Sequence, residues 1–329
     1  MRSGFYQDKN VLVAGSAGFV GSHLVRRLVK LGANVKGTLY KKRPQDPIFE
    51  CEYQKCDLTE ASACKAMTYG MDYVFMAAAN SSGAGVMEKT PLVHLTPNVI
   101  MNARILEACY ENRVKKLCFI SSNTVYPVTN IAVKETDIDY SFFEKYFIVG
   151  WMKLFSEIMC EMYSKRIKNP MSVLVVRPGN LYGPYDKYTW NESKVIAALI
   201  RRVVEKQDPI KIWGDGKDVK DFLYIDDFID GCLSIFTKSQ DFSVVNLASG
   251  KPVTIRKVLR TILRECKYTN AKLRYDDSMP TMIPKRKISI LRAKKEFGWS
   301  PRTGLTEGIK KTVGWYKEYF KTVTPERKQ

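Results

Sequence analysis

The 329-residue sequence predicts an α/β protein: a doubly wound parallel sheet with a smaller C-terminal lobe. Three observations carry that expectation. Through the first half, short continuous apolar runs alternate with segments of helical periodicity, as strands buried on both faces and joined by crossover helices should. Three glycines spaced GxxGxxG stand between the first apolar run and the first helical segment. After about Pro178 the alternation gives way to prolines, glycines and aromatics, as in Asn180-Leu181-Tyr182-Gly183-Pro184 and Trp213-Gly214-Asp215-Gly216.

Taken in order, Val11-Leu12-Val13-Ala14 reads as the first buried strand. Phe19, Leu24, Val25, Leu28 and Leu31 share one face of the helix that follows, and Gly32 is placed to end it. Val35 to Leu39 reads as the second strand; Tyr73 to Ala79, Leu117 to Ser122 and Val173 to Val176 read as further ones. Asn98 to Tyr110 and Gly150 to Arg166 have helical spacing, as does Ser193 to Glu205 beyond the break, where Val244 to Leu247 is a short strand. The domains expected are 1–180 and, for the smaller lobe, mainly 181–329, with segments near 220–250 returning to the first.

Composition narrows the class. Apolar residues make up 45% and charged residues 26%, which excludes collagen-like, fibrous and disordered chains. A chain of this length buries a core without disulfide or metal staples. No apolar run is long enough to span a bilayer, and MRSGFYQDKN lacks the apolar centre of a signal peptide. Eight cysteines lie scattered without CxxC pairs, Cys118 and Cys160 in apolar stretches, which points to reduced thiols in a cytoplasmic protein. With His23 and His94 the only histidines, no metal centre is expected. The net charge, 53 − 34 = +19, favours anionic partners. Its cations are spread out, with short clusters at Lys41-Lys42-Arg43 and Lys285-Arg286-Lys287, so a solvated basic surface is preferred to a nucleic-acid stripe.

Gly15-Ser16-Ala17-Gly18-Phe19-Val20-Gly21 follows a strand and opens a helix. The first glycine permits the tight turn, the second lets backbone approach a pyrophosphate, and the third lets helix pack on strand. The helix N-terminus then faces the anion. This is a Rossmann-like dinucleotide site. The next strand ends in Leu39-Tyr40-Lys41-Lys42-Arg43, without the acid that holds the ribose of NAD. Lys41 and Arg43 suit the 2′-phosphate of NADP, which is favoured, with NAD possible; solvated cations are the plain alternative. Asp57, in Cys56-Asp57-Leu58-Thr59, fits two roles equally: acceptor for the adenine amine, or helix N-cap.

Joined to GSAGFVGSHL (15–24), Cys56-Asp57-Leu58, Met76-Ala77-Ala78-Ala79, ISSNTVYP (120–127), RPGNLYGP (177–184), DFLYIDD (221–227) and FGWSPRTGLTEGI (297–309) form a specific set. On them the chain resembles, over nearly its whole length, the extended short-chain dehydrogenase/reductases of the nucleotide-sugar epimerase/dehydratase family. The stretch 180–202 is most similar to the GDP-fucose synthase branch, which acts on GDP-4-keto-6-deoxymannose. The resemblance implies an NAD(P)-dependent enzyme acting on a nucleotide-diphosphate sugar, GDP first, in polysaccharide biosynthesis. It implies a homodimer through the segments at about 98–112 and 150–166. It also implies that Leu58, Ala77, Ala78, Ala79, Lys153, Pro178, Asn180 and Leu181 line the cofactor.

That family works through a Ser or Thr, a Tyr and a Lys, the last two spaced YxxxK so that they share a helix face. Ser122 matches the hydroxyl and Lys153 the lysine, but four residues before Lys153 stands Val149. The other register pairs Tyr146 with Gly150 and loses the lysine. Thr124 stands where the GDP-fucose synthases carry a cysteine, and Lys194 where they carry a histidine. Three substitutes for the tyrosine come into question: Tyr146, two turns or about 10 Å from Lys153 along a helix; Lys194; and Thr124 with Ser122. Each has a plainer role, as packing tyrosine, phosphate-binding lysine or hydrogen-bonded hydroxyls. On the substrate side, Asn180, Lys194, Arg201, Lys220 and Arg286 are the candidate contacts, mainly to the diphosphate, while Trp213 stacks on the base or packs in the core. The function expected is hydride transfer at a sugar carbon with atypical acid/base chemistry. The alternative is a catalytically impaired homologue acting as partner or regulator.

Overall fold

The computed structural model describes residues 4–80, 90–190, 193–279 and 282–323. Seven strands build the central sheet: β1 (Asn10–Ala14), β2 (Asn34–Leu39), β3 (Cys51–Lys55), β4 (Tyr73–Met76), β5 (Lys116–Ile120), β6 (Ser172–Pro178) and β7 (Phe242–Leu247). Their spatial order is β7-β6-β5-β4-β1-β2-β3, every neighbouring pair parallel. The order reverses between β1 and β4, and a sheet of this kind binds its ligand outside the carboxyl ends of the strands at that crevice.

The helices are α1 (Phe19–Lys30), α2 (Ala61–Thr68), α3 (Thr96–Glu111), α4 (Phe147–Lys165), α5 (Val195–Val204), α6 (Ile225–Lys238), α7 (Ile255–Glu265), α8 (Leu291–Phe297) and α9 (Leu305–Val323). Side chains alternate across the sheet. Val11, Val13 and Phe75 join Leu24, Leu28 and Phe236 on the face covered by α1 and α6. Leu12, Val74, Leu117 and Val175 join Met67, Leu106 and Cys160 on the face covered by α2, α3 and α4. All eight cysteines are free thiols, seven of them buried.

Several elements differ from the sequence-based expectation at their ends. β4 stops at Met76, because the chain turns over the glycine loop there, Ala77 N donating to Ala14 O at 3.0 Å. β5 stops at Ile120, leaving Ser121 and Ser122 in a turn. α4 starts at Phe147, preceded by a 3-10 turn over Glu144–Tyr146. α6 and β7 belong to the central sheet's layers. Buried Lys116 on β5 ends α6, donating from Nζ to Phe236 O at 2.5 Å and also to Ser239 O. The smaller lobe consists of α5, α7, α9 and two-stranded ladders, among them 210–213 with 273–276 and 180–182 with 222–224. No described helix is long and apolar enough to cross a membrane.

Candidate active site

The glycine loop is pinned from β2. Thr38 Oγ1 accepts from Gly15 N at 2.8 Å, and its carbonyl accepts from Ser16 N at 3.2 Å and Ser16 Oγ at 2.8 Å. Gly15 has φ +81°, and a Cβ there would lie 2.6 Å from Ala78 Cα, so only glycine fits the turn. Gly18 caps α1 in an extended conformation without a side-chain bond, and no acid stands in the first turn. The N-terminal N–H groups of α1 therefore face the crevice with no carboxylate competing for them, and the cradle fits a dinucleotide pyrophosphate. Phe19 and Val20 are half-buried at its start, and Leu58 is buried.

On the adenosine side, Lys41, Lys42 and Arg43 are exposed, with Lys41 Nζ 5.1 Å over the Tyr40 ring. Asp57 accepts from Thr59 N at 3.0 Å and Thr59 Oγ1 at 2.8 Å. Those bonds, one from the Tyr40 hydroxyl and the nearby Lys41 charge hold its carboxyl below the usual range. Glu60, not Asp57, occupies the N-cap of α2. Of the two roles open to Asp57, the cap is thereby removed.

At the carboxyl end of β5, Ser122 Oγ accepts from Thr124 N at 3.1 Å and Thr124 Oγ1 at 2.9 Å. The start of α4 closes on this turn at Gly150, where a Cβ would lie 2.9 Å from Thr124 O and 2.5 Å from Phe142. One turn on, Lys153 is 8% exposed and donates to Ile120 O at 2.8 Å, its Nζ 4.8 Å from the centre of the Phe119 ring. Burial pushes its ammonium down to about 8, opposed in part by Glu157. Tyr146 ends the 3-10 turn just before α4. Burial pushes that phenol up to about 12, and its charged neighbours are Arg286 and Asp218 of the C-terminal lobe.

Beneath this turn runs a buried network. Glu157 pairs with Arg177 and accepts from Ser121 Oγ; Arg177 also donates to Tyr126 Oη at 2.9 Å, and Tyr126 Oη donates to Asn246 at 2.6 Å. Spacing did not single out Arg177 or Tyr126 as partners, because a strand residue and the helix and loop residues it meets are far apart in sequence. Thr38 escaped notice for the same reason.

The candidate substrate contacts separate. Lys220 and Arg286 come together: Lys220 Nζ lies 3.1 Å from Asp218 and also donates to Ile283 O, while Arg286 donates to Pro127 O at 2.8 Å and Tyr126 O at 3.1 Å. Arg286 is 2% exposed, its Nε has no partner among the described residues, and burial pushes it down to about 10. Asn180 Nδ2 donates to Asp221 O at 3.1 Å in the strand after Pro178, whose own carbonyl accepts from Asn123 at 2.8 Å; Leu181 is buried. Lys194 is exposed at the N-cap of α5, with Nζ 5.7 Å over the ring of Phe19, so it stands by the cofactor loop. Arg201 is drawn inward, bound to Glu205 at 2.9 Å and Tyr188 O at 2.5 Å with Trp190 4.2 Å beneath it. Trp213, 36% exposed, sits at the end of the 210–213 strand and is not a core residue.

The parallel sheet, the glycine cradle and the hydroxyl–lysine turn define a nucleotide-binding α/β protein with an active site at the strand ends. The chain belongs to the NAD dependent epimerase/dehydratase family, whose model matches residues 11–248. It is 29% identical to GDP-mannose 3,5-epimerase 1 of Oryza sativa subsp. japonica over 94% of this chain and 82% of that one. It is 30% identical to the probable GDP-L-fucose synthase 1 of the same plant, over 95% and 94%. Among solved structures, the UDP-glucose 4-epimerase of Thermotoga maritima shares the fold, with TM-score 0.86 and 24% identity over 94% of this chain and 99% of that one.

Proposed function

We propose that the protein is an NAD(P)-dependent oxidoreductase or epimerase acting on a nucleotide-diphosphate sugar, with a GDP-sugar preferred. The observation that carries this reading is the position of the Gly15 cradle, the Ser122–Thr124 turn and Lys153 at the carboxyl ends of β1 and β5, with Arg286 bonded to the Tyr126 and Pro127 carbonyls just after that turn. The names of the relatives support the GDP preference.

The cradle of Gly15 to Gly21 holds the cofactor's pyrophosphate, and Asp57 receives the adenine amine. Lys41 and Arg43 flank the ribose, which favours NADP over NAD. The bound nicotinamide supplies hydride chemistry. Ser122 and Thr124, already linked at 2.9 Å, orient a sugar hydroxyl or carbonyl over it. Arg286, whose Nε is free of protein partners, and Lys220 neutralise the diphosphate. Trp213 stacks on the base. A homodimer is part of the reading, because Phe147, Trp151, Phe155 and Met162 form an exposed stripe along α4. Eight reduced thiols suit a cytoplasmic location.

The test is to purify the protein, identify any nicotinamide nucleotide it carries, and follow cofactor redox change against GDP-, UDP-, CDP- and dTDP-sugars, their 4-keto forms included. Turnover with a GDP-sugar supports the full reading. Val149 favours a second reading, an inactive homologue that binds both ligands; binding without redox change, together with activity gained in Val149→Tyr, would establish it.

A further inference from the structure

We propose that the Lys153 amine is itself the proton-exchanging group of this site. The proposal rests on the function proposed above and names the acid/base within it. Three features of the geometry point there. Lys153 reaches the carboxyl end of β5, bonding the carbonyl of Ile120, two residues before Ser122. One helical turn earlier the same face presents Val149, which carries no proton, while Tyr146 lies before the helix in the 3-10 turn, with Arg286 and Asp218 as the charges acting on it. One turn later stands Glu157, the natural counter-ion for a lysine four residues before it. That carboxylate is already satisfied, by Arg177 Nη2 at 2.6 Å, Arg177 Nε at 3.1 and 3.2 Å, and Ser121.

The lysine is thus a buried cation with a carbonyl and an aromatic ring for neighbours, and among the described residues the carboxylate acting on it, Glu157, is already paired with Arg177. Removing its charge relieves a desolvation cost, so the neutral amine is populated within reach of ordinary pH. The midpoint near 8 agrees with this arrangement. The ionisable groups around it are Glu157 and Cys160 on α4, with Arg177 on β6 balancing Glu157. A base with a midpoint close to the working pH is the efficient kind. In the oxidative direction the neutral amine takes the proton of a sugar hydroxyl and becomes ammonium. The carbon's hydrogen leaves with its electron pair to the oxidised dinucleotide, and the C=O bond forms. The reductive direction returns both.

The direct test needs no turnover. Protein carrying ¹³Cε-labelled lysine is titrated by NMR, with Lys153→Met identifying the resonance. The expected result is a Lys153 midpoint roughly two units below that of exposed lysines. A midpoint among the exposed lysines would overturn the proposal. Addition of NAD⁺ and NADP⁺ to the same sample separates the two claims: response to neither dinucleotide overturns the function and the lysine's role together, whereas response with an ordinary Lys153 midpoint overturns only the latter. With a responding sugar, the oxidation rate should rise with pH, reach half its maximum at the NMR midpoint and level off above it. Lys153→Arg keeps the charge and cannot release its proton; it should lose that limb and at least about 100-fold in rate. Retention of both would overturn the assignment.

Discussion

Arg177 Nη2 lies 2.6 Å from Glu157 Oε2, and 4% of each side chain is exposed. This pair binds β6, which leads to Asn180, onto α4, which carries Lys153. Losing one partner strands a buried charge, whereas losing both leaves an apolar gap. Arg177→Met should lower unfolding stability by about 3–5 kcal/mol. Adding Glu157→Leu to it should restore a large part. Urea denaturation of both variants decides, and equal loss in both would refute the argument.

Gly150 is the point of closest approach between α4 and the Ser122–Thr124 turn. Gly150→Ala would set a methyl 2.9 Å from Thr124 O, a backbone atom that yields little. The expected cost is about 1–3 kcal/mol of stability. Lys153→Met should by contrast leave the fold intact. Thermal melts compare the two, and an unchanged melt for Gly150→Ala would show that the helix start can shift.

Lys116 provides a pH test away from the site. Burial lowers its ammonium from 10.5 to about 8 in the folded chain. Between those values the unfolded chain binds more protons, so this group's contribution makes stability rise with pH from about 8 to 10.5. Below 8 both states are protonated and the dependence vanishes. Lys153 adds in the same direction. Urea midpoints at pH 8 and 10 should therefore rise more in the native chain than in Lys116→Met. A smaller rise in the native chain would contradict the burial argument.

Cofactor preference should respond to the exposed cations after β2. Lys41→Glu with Arg43→Glu should weaken NADP binding by about tenfold or more while NAD binding changes little. Isothermal calorimetry with both dinucleotides measures this. Equal effects on the two would mean that these cations are only solvated.

The sheet and the cradle were legible in the sequence because they obey local rules: continuous apolar strands such as Val11–Ala14, and a glycine triad at a strand–helix junction. Gly32 after the last periodic residue marked the end of α1, and its φ of 78° is the left-handed conformation that ending needs. What escaped sequence reasoning was made by distant pairs. Thr38 holds the loop from the neighbouring strand, and Arg177 on β6 meets Glu157 on α4. Strand ends were overrun at Met76 and Ile120, where apolar composition continues although the ladder stops. Tyr146 lies at a helical spacing from Lys153, but a 3-10 turn at 144–146 stands there in place of the helix, and the charges acting on the phenol are Arg286 and Asp218.

The most direct measurement of the central claim is the nicotinamide redox state of the purified protein when each nucleotide sugar is added. Reduction or oxidation of a bound dinucleotide by a GDP-sugar, with weaker or no response to UDP-, CDP- and dTDP-sugars, is the result expected. A protein that neither binds a nicotinamide dinucleotide nor changes its redox state with any of these sugars would contradict the account.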